Sequence, residues 1–270
     1  MPDLHINQLR LHYLAEGSGP AVILLHELGG STQTWMDLQP SLAAAGFRAV
    51  ALDLRGAGQS EVPAGPYSLH DLALDVLAAM DALNISPAFL VGVAVGGLVA
   101  LQVAVSAKER VLGLVLLDTP LQVPPSVAKY SQQRTEVILK EGMAAVVDLS
   151  ISRSFPPQVA AGCPEAVSAY RARFLENDPR GYAFASLAVL EADFRATASD
   201  IDVPALVLVG EHDLLFPPEQ VRALAMALPQ ATYHVIQGAG HFPPLQKPGQ
   251  VRDQVLRFLS RCVEEGGEGR

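Results

Sequence analysis

Five nearly continuous apolar runs dominate the hydropathy pattern, at residues 21–25, 48–52, 88–91, 112–117 and 205–209. A half-wet strand alternates apolar and polar residues. Unbroken runs this short predict strands covered on both faces, as in a parallel sheet flanked by helices. Segments of helical period fill the intervals, over residues 34–45, 69–83, 96–107, 218–228 and 250–262. Strand and helix in alternation predict an α/β fold with a mostly parallel, doubly wound sheet. The first residues behave differently. Residues 3–16 alternate around Asn7-Gln8, which predicts an antiparallel N-terminal hairpin with one wet face.

Between residues 121 and 200 the alternation stops, leaving helical patterns broken by Pro124-Pro125, Pro156-Pro157, Gly162, Pro164 and Pro179. This stretch predicts a helical cap inserted into a core made of residues 1–120 and 201–263, with 264–270 as a flexible tail. The uncharged stretch 87–107 is long enough to raise the question of a membrane span. Its Gly92, Gly96, Gly97 and Gln102 fit a strand, a tight turn and a helix better.

Composition narrows the field. Half of the 270 residues are hydrophobic and 17% are charged, which excludes a disordered chain and supplies a large core. A net charge of -9 with no basic run argues against nucleic acid as a partner. The cap stretch, with 8 basic and 9 acidic residues, is nearly neutral, so the rest carries about -8. The N-terminus lacks the charged and apolar regions of a signal peptide, and Cys163 and Cys262 stand 99 positions apart, outside any redox or metal-ligand spacing. The expectation is a cytoplasmic protein with reduced thiols and a small-molecule partner, without membrane attachment; a homodimer is compatible with it.

The run at 88–91 leads into Gly92-Val93-Ala94-Val95-Gly96-Gly97 and then a helix. A strand-to-helix turn this tight needs small residues two before and two after its apex, the frame G-x-S-x-G of a nucleophile elbow. Here the apex is Ala94. Four further motifs follow the same order as in a known family: His26-Glu27-Leu28-Gly29-Gly30, Asp53-Leu54-Arg55-Gly56-Ala57-Gly58-Gln59-Ser60, Gly210-Glu211-His212-Asp213 and Gly238-Ala239-Gly240-His241-Phe242-Pro243.

Along nearly its whole length the chain resembles the α/β-hydrolase fold superfamily, and within it the branch of 3-oxoadipate enol-lactonases and small carboxylesterases. The resemblance implies a serine-type hydrolase of small esters or lactones, with the pocket between core and cap and no cofactor or metal. By carry-over, Ala94 holds the nucleophile position, His241 is the base and Asp213 the acid that orients it, with Asp118 as a second candidate acid. The oxyanion donors would be the backbone N–H groups of Leu28 and Val95. Glu27, in place of the family's usual glycine, and Trp35 are candidate substrate contacts, each set against a packing role. His26 is expected to brace the oxyanion loop, His212 to be a turn residue, and Gln246 to lie at the surface. One or two of the cap aromatics (Tyr130, Phe155, Tyr170, Phe174, Tyr182, Phe184, Phe194) are expected in the pocket wall.

Other chemistries fit less well. The run from Gly56 lacks the last glycine of a dinucleotide fingerprint and is followed by Pro63 and Pro66 rather than a helix. The seven histidines include no closely spaced metal-ligand pair. Three readings of Ala94 stay open: a serine hydrolase whose nucleophile was replaced, a natural protein using the His/Asp pair as a cofactor-free base in dioxygenase- or lyase-like chemistry, and a ligand-binding pseudoenzyme.

Overall fold

The computed structural model describes residues 3–267. The hairpin of β1 (Asp3–Ile6) and β2 (Leu9–Glu16) turns at Asn7 and Gln8, whose φ values of 48° and 63° are those a two-residue hairpin loop requires. Then follow β3 (Ala21–Leu25), α1 (Leu38–Ala44), β4 (Arg48–Leu52), α2 (Leu69–Ala82), β5 (Ala88–Val93), α3 (Val95–Ser106) and β6 (Val111–Leu117). The helices α4 (Pro125–Glu141), α5 (Val147–Ser154), α6 (Pro157–Gly162), α7 (Pro164–Glu176) and α8 (Pro179–Ala188) make up the inserted stretch. The chain returns to the sheet with β7 (Ala205–Gly210), α9 (Pro218–Ala227), β8 (Ala231–Ile236), α10 (Pro243–Gln246) and α11 (Pro248–Gly267).

The strands form one sheet in the order β1-β2-β4-β3-β5-β6-β7-β8. Strand β2 is antiparallel to β1 and to β4, and the remaining pairs are parallel. In β3, Ile23 and Leu25 belong to the apolar cluster on one face and Val22 and Leu24 to that on the other, so both faces are dry. That is why the run shows no alternation. From β3 the chain steps outward to β4 and then crosses back to β5 on the other side. The strand order therefore reverses between β3 and β5, and a crevice opens at their carboxyl ends, where open α/β sheets bind ligands.

Three expectations need adjustment. Strand β8 went unread, because it is an edge strand whose residues are mostly half-buried or exposed, leaving no apolar run. The helix expected over 34–45 divides into a short 3-10 turn, Thr32–Trp35, and α1. The tail expected to be flexible from residue 264 is helical through Gly267, as the end of α11, and residues 268–270 lie outside the described ones. Residues 87–107 hold β5 and α3, and among the described residues no helix is long and apolar enough to cross a membrane.

Candidate active site

The turn between β5 and α3 packs so tightly that side chains are excluded on either side of its apex. A Cβ on Gly92 would stand 2.3 Å from the Gly96 carbonyl oxygen, and one on Gly96 would stand 2.1 Å from that of Leu25. At the apex, Ala94 adopts φ 48° and ψ -107°, a strained conformation for a residue with a Cβ. It is held from both directions: its N–H donates to the Leu117 carbonyl at 2.8 Å, and its own carbonyl accepts from the Leu98 N–H at 3.0 Å. Val95 opens α3, so its N–H has no intrahelical acceptor.

Leu28 follows β3 in a loop shaped by buried polar contacts. His26 Nδ1 donates to the Glu27 carbonyl at 2.7 Å, while its Nε2 accepts the Leu54 N–H at 3.0 Å. These two bonds fix the tautomer and tie the loop to the Asp53 turn. Asp53 in turn accepts the N–H groups of Thr32 and Gln59, at 2.6 and 2.7 Å. His26 thus braces the loop.

Two loops beyond β7 and β8 bring the dyad together. His241 Nδ1 lies 2.8 Å from Asp213 Oδ2, and both residues are buried. The other oxygen of Asp213 accepts the Leu215 and Phe216 N–H groups, at 2.8 and 3.0 Å, so the carboxylate is fixed in place. Since the carboxylate only accepts, Nδ1 carries the proton and Nε2 is the nitrogen left to take another. His212, by contrast, is partly exposed and lies beside Glu211.

Asp118, after β6, is fully buried and accepts the Gly210 N–H at 2.9 Å. Burial, with the neighbouring Asp213 charge, pushes its pKa well above the usual carboxylate range, so it stands as a neutral acid behind the dyad. One ligand atom each from Asp118, Asp213 and His241 falls within 4.8 Å of the others, close enough to hold a cation. The same spacing is explained by the His241–Asp213 hydrogen bond and a protonated Asp118.

Leu28, Ala94, Val95 and His241 share one narrow cavity of about 70 Å³. Leu98, Leu215, Phe216 and Phe242 of the core also line it, and the cap contributes Tyr130, Tyr170 and Tyr182 among others. Burial raises the phenol pKa values of Tyr170 and Tyr182, which keeps both protonated. A wider groove of about 600 Å³ opens elsewhere, beside His12, Asp53 and Gln59, and contains neither the elbow nor the dyad.

The two candidate substrate contacts stand apart from this cavity. Trp35 is completely buried in the apolar cluster between the sheet and its helices. Glu27 is also fully buried, but its oxygens are taken by Thr34 Oγ1 at 2.9 Å and by Arg173 of α7 at 2.8 Å. These contacts clamp the loop after β3 to the cap, with Asn177 donating to the Gly29 carbonyl at 3.1 Å beside them. Gln246 is likewise not a surface residue. It is buried, accepts the Gly240 N–H at 2.6 Å and donates to the Ser154 carbonyl at 2.8 Å, tying the histidine loop to the cap. Four polar residues of the cavity wall, Ser131, Arg134, Ser154 and Ser186, carry no signal in the sequence, and Arg134 of α4 is the arginine among them.

Comparison with known proteins agrees with this geometry. The sequence profile of the alpha/beta hydrolase fold family matches residues 20–248. The chain is 27% identical to 3-oxoadipate enol-lactonase 2 of Acinetobacter baylyi, over 97% of its own length and 99% of that protein's. Among solved structures it is similar to the enol-lactonase from Burkholderia xenovorans LB400, with a TM-score of 0.90, 32% identity and coverage of 96% of this chain and 100% of that one. It is also similar to a thermophilic esterase from Thermogutta terrifontis, with a TM-score of 0.89, 29% identity and 94% of each chain covered.

Proposed function

Because the chain belongs to the alpha/beta hydrolase fold family, we propose that its cavity is the site of a serine-type hydrolase of small esters or lactones, with Ala94 at the position of the nucleophile. The observation that supports this reading is the shared cavity: Leu28, Ala94, Val95 and His241 line it together, with Asp213 hydrogen-bonded to His241. The similar enol-lactonases and esterase support the bond class.

With serine at 94, its Oγ would attack the carbonyl carbon while His241 Nε2 takes the hydroxyl proton. Asp213 would hold the imidazolium that forms. The oxyanion would be met by the Leu28 and Val95 N–H groups, each worth about 3–4 kcal/mol in the transition state. Collapse expels the alkoxide, which His241 protonates, and water then repeats the sequence on the acyl-enzyme. Alanine removes the first of these steps. The typical cost of losing a triad serine is on the order of 10⁶ in kcat, leaving ~10³–10⁴ over water from the oxyanion hole and binding.

Ala94→Ser, run beside the parent chain, is expected to raise cleavage of p-nitrophenyl acetate and small lactones by at least about 10³-fold. A correctly folded variant with no gain on a broad ester and lactone panel sinks the reading. An intact dyad beside an alanine also favours a second reading, in which His241 acts as a base on an acidic substrate. That reading requires turnover by the parent chain that His241→Ala abolishes.

A further inference from the structure

Behind the dyad stands an acid that the hydrolase steps leave unused. Asp118 follows β6, and its φ of 46° turns the chain out of the strand. Its N–H donates to the Leu208 carbonyl and its Oδ1 accepts the Gly210 N–H, each at 2.9 Å, so it staples the end of β6 to β7. Its Oδ2 is buried and meets no N–H or O–H donor. Buried polar atoms rarely stand alone. What lies beside this one is another acid, Asp213, with an oxygen of each and a nitrogen of His241 falling within 4.8 Å of one another. Among the described residues neither carboxyl forms an ion pair with lysine or arginine. A further titratable neighbour, Tyr233 of β8, donates its hydroxyl to the Pro218 carbonyl at 3.0 Å.

Two buried carboxyls this close do not both ionise. Donor counts decide which of them keeps the proton. Asp213 accepts three N–H bonds, from Leu215, Phe216 and His241, whereas Asp118 accepts one, from Gly210. Each such bond favours the ionised form, so the charge belongs on Asp213 and the proton on Asp118. A carboxylate offers about four acceptor sites. Leu215 and Phe216 take the two on Asp213 Oδ1, and His241 takes one on Oδ2, which leaves one open.

We propose that Asp118 is a positioning residue of the dyad: its Oδ2–H donates to the open site on Asp213, so the acid that orients His241 is itself held by an acid. Asp118 is then no spare partner for His241. It closes the last free acceptor site of the carboxylate on which His241 depends. It also spreads the Asp213 charge, which otherwise favours a protonated imidazole, and so keeps His241 Nε2 open to lower pH. The kinetic part of the inference rests on the reading of this cavity as a hydrolase site; the hydrogen bond does not.

The hydrogen bond is tested in the parent chain by infrared spectroscopy. At pH 7 the parent should show the carbonyl stretch of a protonated carboxyl group, and Asp118→Asn should lose it. A parent without that band, or a band that survives in Asp118→Asn, overturns the proposal. So does failure of Asp118→Asn to fold, because its amide supplies the same acceptor and donor. The positioning role is tested in the Ala94→Ser background, through the acid limb of kcat/KM for p-nitrophenyl acetate. Asp118→Leu removes the donor and should raise that limb by at least about half a pH unit, whereas Asp118→Asn should leave the limb in place. An ionised Asp118 predicts another order: both substitutions take an anion from beside His241 and lower the limb. That result overturns the proposal, and so does one limb shared by all three chains, which reduces Asp118 to packing. If Asp118→Leu does not fold, because it strands the Gly210 N–H, the band and the Asp118→Asn limb decide. Ala94→Ser without esterase activity removes the hydrolase reading alone, since the band still reports on Asp118.

Discussion

Two arginines of the cap face the core in opposite ways. Arg173 reaches Glu27 in the loop after β3 and closes a buried ion pair, whereas Arg134 stands in the cavity wall with no carboxylate partner among the described residues. The first contact holds the cap on the core, although Arg173 Nε is itself buried without an acceptor. Arg134 instead lies over the rings of Tyr130 and Tyr182, 5.2 and 5.4 Å from their centroids. On helices of the same insertion, one arginine is set against a carboxylate of the core and the other against aromatic faces of the cap.

The dyad has the largest expected effect on this contrast. In the Ala94→Ser background, His241→Ala should lower ester cleavage by about 10⁴–10⁶-fold, measured as kcat, while leaving the cap clamp and the melting temperature nearly unchanged. A loss smaller than tenfold would remove His241 from the chemistry. Glu27→Gln comes next, because it strands Arg173 in a buried site and should cost about 3–5 kcal/mol in denaturant unfolding. The double substitution Glu27→Leu with Arg173→Met should recover most of that loss, and no recovery would mean that the pair acts through something other than charge. Gly96→Ala should cost at least about 3 kcal/mol, since its Cβ meets the Leu25 carbonyl oxygen at 2.1 Å and backbone cannot yield cheaply.

The smallest effect concerns Asp118. Its pKa in the folded chain is raised by burial and by Asp213, so the fold favours its protonated form. Stability is unaffected below the unfolded carboxylate value near 3.8 and falls as pH rises from there toward the folded value. Asp118→Asn keeps an acceptor for the Gly210 N–H and a donor toward Asp213 without titrating. Its stability relative to the parent, by urea unfolding, should be greater at pH 8 than at pH 3.5. Parallel pH profiles for the two chains would contradict the assignment of a neutral Asp118.

What the sequence makes visible follows from how local each requirement is. The five buried strands need only their own apolar runs, and the elbow needs only glycines at fixed offsets from Ala94. His241 and Asp213 sit in motifs tied to strand ends, so their meeting could be expected although 28 positions separate them. Glu27 was conspicuous as a departure, but its partner is 146 positions away on a helix whose orientation no local pattern fixes. Arg134 is harder still. On α4 it reads as one more polar residue of an amphipathic helix, and only the packing of α4 against α8 turns it into the cavity beside Tyr182. Strand β8 escaped for the opposite reason, since an edge strand with wet positions leaves little hydrophobic signal. The physics that holds the core together is written in short segments, and that of the cap wall emerges only from contacts between segments.

The central claim is that this site lacks one hydroxyl and nothing else of a serine hydrolase. It is tested most directly by intact-protein mass spectrometry of Ala94→Ser after exposure to a p-nitrophenyl phosphonate. The account predicts a single adduct that maps to residue 94, forms stoichiometrically, and is absent from the parent chain and from Ala94→Ser with His241→Ala. A folded Ala94→Ser protein that stays unlabelled, or that is labelled elsewhere, would contradict it.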